Sequence, residues 1–122
     1  MADKMNVTLE QITPQLRAGQ VDVTIHVSSA LNISAYAAKQ KVAGILISRV
    51  GATIGAEEPE LVISHERLLW RVPAFLALPG LGQLGNIGAI DIDAQSGEIL
   101  VNEALLEAMA QNARQLAPHP SS

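Results

Sequence analysis

The chain has 122 residues, 48% of them apolar, and 12 acidic against 8 basic side chains give it a net charge of −4. That is enough apolar material for one core and too little length for two, so a single folded domain is expected and a disordered polymer is not. The composition also sets aside three classes: there is no concentrated basic surface for a phosphate backbone, no cysteine for disulfides, thiolate ligands or a Cys nucleophile, and no stretch near the roughly 20 apolar residues of a membrane span.

One Trp, one Tyr and one Phe leave the core to Ala, Val, Ile and Leu, and offer little for stacking nucleic-acid bases. Neither nucleic acid nor a membrane is an expected partner. The opening MADKMNVTLEQI carries Asp3 and Glu10 and no apolar signal core, so a cytoplasmic location is the expectation.

Residues 1–20 read as an N-terminal tail and a short helix over 8–18, which Thr8 and Gln11 open as a capping box and Gly19 stops. From Val21 the pattern alternates: Val21, Val23, Ile25 and Val27 against Asp22, Thr24, His26 and Ser28, the period of a half-buried strand. Ser34 then caps a helix from 35 to about 50, whose Ala35, Ala38, Val42, Ile45 and Leu46 follow three-and-four spacing. Gly51 and Gly55 end it, and AEEPE reads as an acidic, proline-broken loop.

Leu61–Ser64 is the next strand, with His65, Glu66 and Arg67 at its turn, followed by a strand over Leu68–Leu78. On that strand Trp70, Val72, Ala74, Leu76 and Leu78 share one face, and Leu69, Arg71, Pro73, Phe75 and Ala77 the other. Pro73 cannot donate to a ladder and marks an edge or a bulge. A glycine-rich connection from Pro79-Gly80 to about Asn86 leads to a hairpin, Ile87–Asp93 and Glu98–Val101, turned by Ala94-Gln95-Ser96-Gly97. Asn102 caps a last helix with Leu105, Ala108, Met109, Asn112 and Leu116 on one side, and APHPSS closes the chain. The order strand, helix, four-strand meander, helix defines an α+β fold with an antiparallel sheet of about five strands packed against helices. The domain spans 21–117, and 118–122 is expected to be a disordered tail.

Gly80-Leu81-Gly82-Gln83-Leu84-Gly85 has the letters of a dinucleotide fingerprint, but that motif needs a helix N-terminus after it and here a strand follows. Asp91-Ile92-Asp93-Ala94-Gln95-Ser96-Gly97-Glu98 starts like a calcium loop with its glycine displaced. A hairpin turn accounts for the same letters: Asp93 folds back on the turn backbone, Gly97 takes a positive φ, and Ile92 and Ile99 face the core. Glu57, Glu58 and Glu60 are candidates for a general base or a hard-cation site, weighed against a solvated acidic loop. His26, His65 and His119 lack zinc-site spacing. The exposed face of the first strand, Asp22, Thr24, His26 and Ser28, has no Arg or Lys for reading a major groove. No catalytic, metal or cofactor residue is assigned.

The segment Ile87–Leu100, ending IDAQSGEIL, resembles the terminal hairpin of PepSY-type domains over about 14 residues. More broadly, the first strand, ALNIS, the helix, WRVP and this hairpin are similar to an uncharacterised family of small bacterial proteins common in cyanobacteria. The resemblance implies a fold rather than an activity; PepSY-type domains usually act outside the cytoplasm, some as protease inhibitors.

Leu69, Phe75 and Ala77 on the second face of the long strand are surplus apolar surface, and with the thin stripe Leu105, Met109 and Leu116 they are the candidate interaction residues. The expected function is a non-catalytic interaction, adaptor or regulatory module, homodimeric and with an unidentified protein partner. An antitoxin-like protein that neutralises a toxin, and a small-molecule-binding protein or hydrolytic enzyme, are the alternatives. Trp70 is expected to be buried beside the long helix, Phe75 to be buried between two copies, and the last helix to meet a partner rather than fill the core.

Overall fold

The computed structural model describes residues 7–9 and 31–118. The strand expected over 21–27 and residues 10–18 of the expected first helix lie outside these residues. Thr8 and Leu9 do not begin a helix: they belong to strand β1 (Val7–Leu9), which runs parallel to a later strand with Thr8 opposite Val62.

Helix α1 (Ala35–Arg49) starts as its sequence implies, with the Ser34 hydroxyl accepting from the Ala37 amide at 3.0 Å. Ala38, Val42 and Leu46 face the core and are fully buried. After Gly51 the chain makes strand β2 (Ile54–Ala56), which was expected to be loop, and then β3 (Glu60–Ser64). A two-residue turn at His65 and Glu66, both at positive φ, leads into the long β4 (Arg67–Leu78). Pro79-Gly80, with Gly80 at φ 77°, turns β4 into the equally long β5 (Gly82–Asp93), and β6 (Ile99–Leu100) returns beside it. Helix α2 (Glu103–Leu116) is capped by the Asn102 side chain, which accepts from the Leu105 amide at 2.8 Å.

The six strands among the described residues form one sheet in the order β1-β3-β4-β5-β6, antiparallel except for β1, with β2 beside the far half of β4. This is the expected α+β fold, and its meander is β3 to β6. Trp70, Val72, Ala74 and Leu76 of β4 and Ile90 and Ile92 of β5 face both helices across a single core. Trp70 is buried there, and its indole N–H donates to the Ile33 carbonyl at 2.7 Å, just ahead of α1.

The glycine-rich stretch is not a connection. From Gly82 it is strand, and two register shifts leave Leu84 and Ile87 as the extra residues of β-bulges. Gly85 and Gly88 lie under α2: a Cβ at Gly88 would stand 3.1 Å from Met109 Cγ, and one at Gly85 3.2 Å from Leu116 Cδ1. Pro73 sits inside a central strand, but where its neighbour is interrupted. β3 pairs with β4 as far as Arg71 and β2 from Ala74 onward, so the missing N–H falls opposite the gap between them.

Candidate functional site

The second face of the sheet carries two ion pairs side by side. Arg71 clasps Asp91 through two parallel bonds, Nε to Oδ1 at 2.9 Å and Nη2 to Oδ2 at 3.0 Å, because the two residues are cross-strand partners on β4 and β5. Arg67 donates from Nε and Nη2 to Oδ2 of Asp93 at 3.1 and 2.8 Å. The other oxygen of Asp93 accepts the Gln95 and Ser96 amides at 2.8 and 2.9 Å. The Ser96 amide first, and then the Arg67 guanidinium, lower the Asp93 pKa from its ordinary 3.8 to about 2.

The hairpin reading of this segment therefore holds in its details. Asp93 folds onto the turn, Gly97 takes φ 80°, and Ile92 pairs with Ile99. Both carboxylates of the calcium-like spacing are occupied by guanidinium groups. The acidic loop is dispersed in the same way: Glu57 accepts from Gln83, Glu58 pairs with Lys39 at 2.6 Å on α1, and Glu60 stands opposite Arg71 on β3. Among the described residues no three acidic or histidine side chains come together as metal ligands. His65 lies in the β3–β4 turn; His26 and His119 are outside the described residues.

Of the candidate interaction residues, Leu69 and Met109 lie in the interior rather than at the surface. Leu69 is buried, paired with the equally buried Val62 on the second face and outside the helix-side core. Met109 is 1% exposed and packs in the core with Leu106, while Leu105 is half-buried against it. Asn112 is not a flaw in the stripe: its amide donates to the Ile87 carbonyl at 3.0 Å, meeting an acceptor at one of the bulges. The expectation that α2 stands apart from the core is thus corrected. Leu116 is exposed in part and lies over Gly85.

Phe75 is half-buried on its cross-strand partner Gly55, where a Cβ would come within 2.4 Å of the ring. The ring covers backbone that a glycine leaves bare. Beside it an open depression of about 450 Å³ is lined by Thr53, Gly55, Phe75, Ala77 and Pro79 among others, with no ionisable side chain.

Among the described residues, the most exposed large apolar side chains on a regular element are on α1. Tyr36 is 73% and Ile47 55% exposed, on the face turned away from the sheet. The spacing of Ala35, Ala38, Val42, Ile45 and Leu46 marks one apolar face of α1, although AYAAKQKVAGILISR is apolar on two sides.

The fold and surface together define a small α+β domain with one face of its sheet under two helices. No family model, curated protein or solved structure matches it.

Proposed function

We propose that the chain is a non-catalytic protein-interaction module, an adaptor or regulator that works as a homo-oligomer in the cytoplasm. The observation that supports this reading is the exposed pair Tyr36 and Ile47, held on a capped helix that already buries another face against the sheet. An enzyme needs polar groups that converge on a substrate. Here Glu57, Glu58, Asp91 and Asp93 are each engaged with a different residue. Sedimentation equilibrium at micromolar concentrations is expected to show a species of about twice 12.9 kDa, growing with concentration. A single 12.9 kDa species throughout that range removes the reading.

A further inference from the structure

We infer that the outer face of α1 is the surface on which two copies meet, helix against helix and antiparallel. The inference rests on the self-association proposed above and adds its location and register.

Tyr36, Gln40, Ala43 and Ile47 recur at spacings of four, three and four, which places them in one stripe along α1. The order of those spacings is the same read from either end. A two-fold axis perpendicular to the helix, lying in the seam at the level between residues 41 and 42, therefore sets the stripe against its own copy. It sets Tyr36 of each copy against Ile47 of the other, and Gln40 against Ala43. A closed dimer of identical chains requires such a self-complementary patch. Both large apolar side chains gain cover twice over, and the small Ala43 at the centre lets the helices approach.

Gly44 beside this stripe points the same way. A glycine inside a helix costs about 1 kcal/mol relative to alanine, yet a Cβ at Gly44 would meet nothing within 4 Å among the described residues, so no contact with them calls for its absence. A backbone bare on its outer side is what a closely packed second helix needs.

The charges are compatible with self-pairing. Lys39 on the other flank of the stripe is paired with Glu58 at 2.6 Å. The symmetry brings the two Lys39–Glu58 pairs to the same side of the seam, where cations and carboxylates can alternate. Lys41 points away from the seam by helix periodicity. A 15-residue helix per copy makes a small interface, below the roughly 1,200 Å² of a standard one, so dissociation in the micromolar range is expected.

The test compares the full chain with Tyr36→Lys and Ile47→Glu by sedimentation equilibrium, with circular dichroism as the check on folding. Both positions are solvent-exposed, so both variants are expected to keep the native spectrum and to weaken association by tenfold or more. The register is tested by cysteine cross-linking in a chain that has none of its own. Tyr36→Cys and Ile47→Cys, oxidised as a mixture, are expected to give a 36–47 cross-link; either alone is expected to give little, since like positions stand about 16 Å apart along the helix axis. A wild-type chain that dimerises while both charged variants dimerise equally well overturns this surface and leaves the proposed function standing. Cross-linking of each single variant with itself overturns the antiparallel register. A wild-type chain that stays monomeric overturns both proposals.

Discussion

Asp93 shows how a single side chain closes a hairpin. It accepts two turn amides on one oxygen and two bonds from the Arg67 guanidinium on the other, and all four bonds are stronger for the ionised carboxylate. Its folded-state pKa, about 2, lies below the ordinary 3.8, so the folded form binds the proton less readily than the unfolded chain does. The sign follows: this stabilisation is fully present above about pH 4 and is lost as pH falls toward and through 2. The shift corresponds to about 2 kcal/mol, and the side chain of Asp93 is mostly shielded from solvent. Urea denaturation at several pH values is therefore expected to show the wild type losing about 2 kcal/mol more than Asp93→Asn between pH 4 and pH 2. Parallel losses in the two proteins would mean that the carboxylate charge contributes nothing to the turn.

Among the elements, α2 and β5 depend on one another. The bulges and glycines of β5 clear the ground for Met109 and Leu116, and Asn112 returns a hydrogen bond to a carbonyl at the bulge. Truncation after Asn102 removes Leu106 and Met109 from the core, so the shortened chain is expected to lose its cooperative transition in circular dichroism. Gly88→Ala, a milder test, places a Cβ 3.1 Å from Met109 at φ 138° and is expected to destabilise by about 2 kcal/mol. A truncated chain that still unfolds cooperatively would return α2 to the surface role its sequence suggests. In the sequence Asn112 interrupts the stripe, and a bulge carbonyl awaiting a donor leaves no trace in the letters. The caps at Ser34 and Asn102, the meander and the Asp93 turn were legible because each rests on local chemistry. Strand β2 was not, since three residues with a glycine at the centre form a strand only through their pairing with β4. Gly82–Asn86 read as a loop for the same reason: glycine lowers strand propensity, and only the helix above explains it. The outer stripe of α1 was present in the sequence, but a helix apolar on two faces does not say which one the sheet will take.

At the scale of the whole molecule, both described helices and strands β2 to β5 contribute to one connected core. Trp70 lies within it and is tied through its indole to the Ile33 carbonyl, so its fluorescence reports on the same packing that holds α1 and α2. A domain of this size with a single core is expected to unfold in one step. Urea unfolding followed by Trp70 fluorescence and by far-ultraviolet circular dichroism should then give superimposable transitions, the native emission being blue-shifted from that of indole in water. Trp70→Ala leaves a cavity that backbone-anchored neighbours cannot close, and is expected to cost about 3–5 kcal/mol. Because the loss falls on a core that both helices share, the variant's helical signal should fall to lower urea across the whole transition rather than in part. Helical signal lost ahead of the fluorescence change would show that a helix opens alone, and that the core holds the sheet more firmly than it holds its cover.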